Sequence, residues 1–217
     1  MLKKYVIIAI IISFDIFSQS QFQQFLSHVN SLTDPTQKNA AVDSFMNYAR
    51  TIGIPFIEDS TANFLYIGNT SSVTAAGDFN GWNASSWSLS RVYQTNLWYR
   101  SVVFEKDARL DYNFVLNNSN WILDPENPNT CAGGFGPNSE LSMPLYIQPW
   151  EINYQSSVQH GSLKYKTLFS SNVGSNYQIT IYLPPGYDTL SQTKYPVVYF
   201  QDGSEYISIG RDVNDLD

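Results

Sequence analysis

The chain has 217 residues, of which 43% are hydrophobic and only 14% charged, with a formal net charge of -7. That balance supports a packed core rather than a disordered chain, and the acidic excess argues against nucleic acid as a partner, because neutralising phosphates needs a basic surface. The length exceeds one small sandwich but falls short of a sandwich joined to a complete large enzyme domain, and aromatic residues at 15% favour strands.

Residues 1–20 read as a secretory leader. Lys3 and Lys4 precede an unbroken apolar run from Val6 to Ile12, and Ser18-Gln19-Ser20 offers small residues for cleavage after Ser20. An uncleaved anchor fits less well, since Ser13 and Asp15 interrupt the run short of the roughly 20 residues that span a bilayer. The expected location is therefore secreted or periplasmic, with no membrane contact after cleavage.

Two amphipathic helices follow. Phe22, Phe25, Leu26, Val29 and Leu32 share one face over residues 21–32, before Thr33-Asp34-Pro35 interrupts. Ala41, Val42, Phe45, Met46 and Ala49 repeat the period over 38–52, with Gly53 at the C-terminal position. The 21–53 segment is expected to be a structural lead-in.

From Ile54 onward, short β-type runs are separated by Gly, Asn, Asp and Ser: residues 63–67, 73–76, 97–104, 111–116 and 120–123, with 141–147 as a closing strand. Such spacing indicates an antiparallel sandwich over 54–148. Residues 124–138, rich in Pro, Asn and Gly, read as a long exposed loop. Beyond a connection at 149–157, residues 161–169 and 177–183 read as two strands joined around 170–175. Tyr195-Pro196-Val197-Val198-Tyr199-Phe200 is almost continuously apolar, the pattern of a strand buried on both faces of an α/β sheet. Such a strand requires covering layers that nothing earlier in the chain supplies.

Cys131 is the only cysteine, so an internal disulfide or a multi-cysteine metal site is excluded, and no role is assigned to it. Glu58 and Asp59 are adjacent and would point to opposite faces of an extended segment. They and the terminal Asp212, Asp215 and Asp217 read as solvated carboxylates, so no metal site is expected.

Gly77-Asp78-Phe79-Asn80-Gly81-Trp82, together with Asp111-Tyr112-Asn113-Phe114-Val115-Leu116 and Trp121-Ile122-Leu123-Asp124-Pro125-Glu126-Asn127-Pro128, resembles the immunoglobulin-like early-set sandwich of glycogen-branching enzymes and of the glycogen-binding module of AMP-activated kinase beta subunits. The resemblance covers roughly residues 60–145. It implies that Trp82 and Trp121 stack on sugar rings and that Asn138 bonds to the sugar. A large flat indole suits the C–H face of a pyranose. Asn113 replaces the lysine of the family's Tyr-Lys-Phe. The competing structural reading has Phe79 and Trp82 pack the sandwich or dock it on a neighbouring domain.

Residues 177–188 (Tyr177-Gln178-Ile179-Thr180-Ile181-Tyr182-Leu183-Pro184-Pro185-Gly186-Tyr187-Asp188) and 195–203 resemble the opening of the esterase family that includes enterochelin esterase, S-formylglutathione hydrolase and feruloyl or acetyl-xylan esterases. The resemblance implies an α/β-hydrolase, cofactor-free, acting on an ester substrate through Ser, acid and His in that chain order. The sequence contains no Gly-x-Ser-x-Gly, and His28 and His160 both precede the expected position, so they read as ordinary surface groups. Only the loop Gln201-Asp202-Gly203-Ser204 could serve, through Gly203 and Ser204 backbone N–H groups at an oxyanion hole.

The expected architecture is thus mostly β: leader (1–20), helical lead-in (21–53), early-set sandwich (54–148) and the incomplete start of an α/β-hydrolase (149–217). The whole chain reads as the N-terminal part of a secreted esterase, with the sandwich docked on the hydrolase. The alternative is a carbohydrate-binding module for an α-glucan or plant polysaccharide.

Overall fold

The computed structural model describes residues 19–189 and 191–210. The leader expected over 1–20 lies outside them, apart from Gln19 and Ser20, as do Asp212, Asp215 and Asp217.

Two helices come first, α1 (Gln21–Ser31) and α2 (Pro35–Ile52). Each starts on a side-chain cap: Ser20 Oγ accepts from Gln23 N at 3.2 Å, and Asp34 Oδ1 accepts from Thr36 N at 2.8 Å. Pro35 opens α2, where its missing N–H costs no helical bond. Glu58 departs from the solvated role expected of it. Its carboxylate accepts from Gln21 N at 2.5 Å and Phe22 N at 3.1 Å, placing a negative charge against the first turn of α1. Asp59 does stay exposed, paired with Lys106 at 2.6 Å.

The strands are β1 (Phe56–Glu58), β2 (Thr61–Ile67), β3 (Val73–Gly77), β4 (Ser90–Arg91), β5 (Leu97–Val103), β6 (Arg109–Leu116), β7 (Asn120–Ile122), β8 (Thr130–Cys131), β9 (Asn138–Ser142), β10 (Ser162–Ser170) and β11 (Ser175–Leu183). One antiparallel sheet runs β1-β2-β5-β4, and the second runs β3-β6-β9-β8 with β7 also paired to β6. Alternation along β2 explains their assembly. Phe64 and Tyr66 point into a core shared with Val73, Ala75, Tyr112, Phe114 and Leu141 of the second sheet. Leu65 belongs instead to a core with Phe22, Val29, Val42, Phe45 and Met46 of the helices. The lead-in is therefore a third layer over the first sheet, which is why β2 is buried along its length.

The helix layer is also pinned at its edge, where Arg50 forks onto Glu126 at 2.7 and 2.8 Å. Buried Asn63, on β2 of the first sheet, donates to Phe56 O at 2.9 Å and accepts from Ser101 Oγ at 2.6 Å, so its burial leaves neither end of the carboxamide unpaired.

Two strand expectations are also corrected. The closing strand lies at Asn138–Ser142 rather than over 141–147, because Pro144 cannot donate to a ladder. Beyond it, only Met143 N and Leu145 N reach back, to Ala108 O and Lys106 O. Residues 195–200 form no strand, and each of them is exposed. A strand needs a partner for its N–H and C=O groups, and among the described residues no segment pairs with this one. Nor does the segment complete the sandwich.

Hairpin β10-β11 is regular, in register from Ser162 opposite Leu183 to Ser170 opposite Ser175. It leaves Tyr165, Leu168, Phe169 and Tyr177 exposed. Among the described residues, no helix is long and apolar enough to cross a membrane.

Candidate functional site

The first candidate site grows from the turn that ends β3. Trp82 N donates to Gly77 O at 2.9 Å, closing the Gly77–Trp82 loop on itself. Asn80 braces it from inside, accepting from Gly77 N at 3.0 Å and donating to Ala75 O at 3.0 Å and Ser86 Oγ at 3.0 Å. Gly77 is required by close approach, because a Cβ there would collide with Asp111 O and lie 2.8 Å from Tyr112 Cβ. Gly81 is required by its left-handed φ of 60°.

The aromatic residues of the motif take opposite roles. Phe79 stacks on Trp87 at 4.3 Å and packs toward Phe64 and Phe104, so it belongs to the sandwich core. Trp82 points away. Its Nε1–H donates to Asp78 Oδ1 at 3.0 Å, and the other oxygen of Asp78 accepts from Asp111 N at 2.8 Å. Asp78 thus fixes the indole on the edge of β6, a role that the sequence analysis did not give it. The signal was its place four residues before the Trp.

Trp121 on β7 lies beside Trp82, with ring centroids 6.5 Å apart and planes 29° from parallel. It remains 45% exposed. Asn138 sits on β9 of the same sheet, but its carboxamide is engaged at both ends: Oδ1 accepts from Asn113 at 3.0 Å and Nδ2 donates to Asp111 at 3.2 Å. Asn113 Oδ1 is buried and has no partner. Of the three expected sugar-contacting residues, the structure brings the two indoles together, whereas Asn138 is tied into a polar row that Arg109 extends to Asp111 and Glu140.

The long exposed loop expected over 124–138 is corrected here: Asp124 and Asn127 are buried in a polar knot beneath this face, and β8 lies within the same stretch. Asp124 accepts from the Tyr112 hydroxyl at 2.6 Å and from Glu126 N at 2.9 Å, and its own N–H donates to Ser139 at 2.8 Å. Asn127 donates to Tyr112 Oη and to Glu140 O. Burial pushes the Asp124 carboxyl up to about 6 and the Tyr112 hydroxyl well above its ordinary value. Cys131 is also pushed up, to about 11, by burial and then by Asp111, so it remains a thiol.

The second candidate lies at the other end of the chain. Asp202, at φ 54°, turns the backbone into a short helical segment at Gly203–Glu205, and Glu205 N donates to Asp202 O at 2.8 Å. The turn borders a cleft of about 560 Å3 whose walls include Tyr199, Phe200, Glu205, Tyr206 and, from the sandwich, Gly134. His28 is exposed on α1. His160 stacks on Tyr154 at 4.4 Å and its Nε2 lies 2.9 Å from Gln155 O. Neither histidine lines this cleft. Among the described residues, no group of three or more His, Cys, Asp or Glu side chains could hold a metal ion.

Residues 170–214 match the Esterase family model, described as "Putative esterase". No curated protein matches the chain. Similar solved structures include ferric enterobactin esterase from Salmonella typhimurium, 16% identical, covering 61% of this chain and 44% of that one at a TM-score of 0.45. Enterochelin esterase from Shigella flexneri is 18% identical, covering 73% of this chain and 49% of that one at a TM-score of 0.46. The chain therefore spans less than half the length of either structure.

Proposed function

We propose that this chain is the N-terminal part of an exported carboxylic-ester hydrolase, in which an early-set sandwich over 54–148 precedes an α/β-hydrolase domain beginning near residue 149. One coincidence carries the reading. The stretch that matches the esterase family, 170–214, also holds a consecutive run of bare apolar side chains: Val197, Val198 and Tyr199 are 68%, 69% and 90% exposed. Soluble domains rarely leave such a run uncovered, and the interior strand of an α/β sheet is the environment that this composition suits.

In that enzyme a serine Oγ attacks the ester carbonyl, a histidine takes its proton and returns it to the leaving alcohol, and an acid orients the histidine. No Gly-x-Ser-x-Gly occurs in the 217 residues, so the reading assigns all three groups to a longer gene product. The contribution of the present residues is the turn at Gly203 and Ser204, whose backbone N–H groups are suited to a developing oxyanion. The sandwich docks against the hydrolase, and Gly134, already a wall of the cleft beside that turn, supports this arrangement. The leader over 1–20 sends the product to the periplasm or outside the cell.

The test compares the 217-residue chain with a longer in-frame product that continues past Asp217, using a simple aryl acetate. The longer product should turn over the ester with saturable kinetics, and its added residues should hold a Gly-x-Ser-x-Gly followed by an acid and a histidine. Saturable turnover by residues 21–217 alone, or a continuation without those groups, would sink the reading.

A second reading is favoured by the indole pair. Trp82, in the turn after β3, and Trp121, on β7, lie within ring-contact distance, as a platform for an α-glucan or plant polysaccharide would require. Asn138 would need to exchange one of its existing hydrogen bonds for a sugar hydroxyl. This role is compatible with the first, since a module can hold a polymer near an attached esterase.

A further inference from the structure

The start of α1 carries two caps of different origin. Ser20, the residue before the expected cleavage point, accepts from Gln23 N through its hydroxyl and from Gln24 N through its carbonyl. Glu58, from the sandwich, accepts from Gln21 N and Phe22 N. Cleavage after Ser20 removes the first cap and leaves the second in place.

Cleavage also changes the charge at this point. The Gln21 nitrogen, an amide in the unprocessed chain, becomes an α-ammonium group. A positive charge at a helix N-terminus opposes the helix macrodipole and would fray the first turn. Here the ammonium forms 2.5 Å from the Glu58 carboxylate. Phe22, the next residue, is fully buried, so the first turn is held from below as well. Tyr48 donates to Gln21 Oε1 at 2.5 Å and fixes the side chain of the same residue.

We infer that Glu58 is the seat of the processed amino terminus: removal of the leader after Ser20 converts an existing amide contact into an ion pair between the Gln21 ammonium and Glu58. That pair keeps α1 docked once its Ser20 cap has gone. The inference rests on the leader-removal part of the proposed function and is independent of any esterase activity. An ion pair raises the pKa of the amine, so its contribution is complete below the unfolded value and is lost as pH rises through the folded one.

Export of the whole chain followed by intact-mass analysis should give a mature form beginning at Gln21. A form beginning elsewhere overturns the inference, as does a mass lower by one ammonia, which would mean that Gln21 has cyclised and consumed its amine. The seat itself is tested in chains made to begin at Gln21 or at Gln19, labelled near pH 7 with phenyl isothiocyanate, which reacts only with the deprotonated amine. Glu58→Gln should label about threefold faster than the native residue in the Gln21 chain, as expected for a partly exposed pair. In the Gln19 chain, where the amine is displaced from Glu58, the substitution should have no effect. Equal labelling of both versions of the Gln21 chain, or equal acceleration in both chains, would contradict the ion pair.

Discussion

Trp82 and Trp121 lie side by side with ring centroids 6.5 Å apart, and the Trp82 ring is held by Asp78 rather than by the core. Truncating either indole should therefore cost little stability and much of any sugar affinity. Trp82→Ala and Trp121→Ala are expected to melt within a few degrees of the parent, because a partly exposed ring contributes only part of its burial energy. On glycogen or xylan affinity gels each should weaken binding about tenfold, equivalent to ~1.4 kcal/mol. A parent chain that migrates without retardation on both polymers would leave the indole pair without a sugar-binding role.

The turn that presents Trp82 should be far less tolerant. Gly77→Ala puts a methyl against Asp111 O, a backbone atom that cannot move without disturbing β6. A loss of about 2–4 kcal/mol is expected, comparable with the roughly 3–5 kcal/mol for Phe64→Ala in the sandwich core. Urea unfolding measures both, and a near-neutral Gly77→Ala would contradict the packing described for this turn.

Asp124 predicts a pH dependence of opposite sign to that of an ordinary paired carboxylate. Burial raises its folded value from 3.8 to about 6, so the folded state holds the proton more tightly than the unfolded chain does. The contribution is complete below the unfolded value and is lost as pH rises through about 6. Relative to Asp124→Asn, the parent should lose roughly 2–3 kcal/mol between pH 4 and pH 7. Chemical denaturation of both forms at the two values tests this, and parallel stability curves would rule out a raised Asp124.

Much of the fold was legible because periodicity reports burial. The helix faces at Phe22, Phe25, Val42 and Phe45 are indeed buried, and β2, β3, β5 and β6 fall within a few residues of their expected positions. What periodicity could not give was the destination of the helices. Leu65 and Phe64 are equally apolar, and only the structure shows that one faces the helices and the other faces the second sheet. The short strands β1, β4 and β8 were missed because two or three residues carry no period. Trp82 and Trp121 stood out as motif residues, whereas Asp78, Asn113 and Glu58 act through one or two hydrogen bonds each, which composition does not reveal. Residues 195–200 illustrate the converse, since their pattern suits a buried strand while the surroundings that would make them one are not among the described residues.

Amide hydrogen exchange over that segment addresses the central claim most directly. If residues 170–214 open a hydrolase domain, the amides of Val197, Val198 and Tyr199 should exchange rapidly in the 217-residue chain. In a longer in-frame product that continues past Asp217 they should become protected by several orders of magnitude, as interior strands are. Rapid exchange in both proteins, or protection already present in the shorter one, would contradict the account.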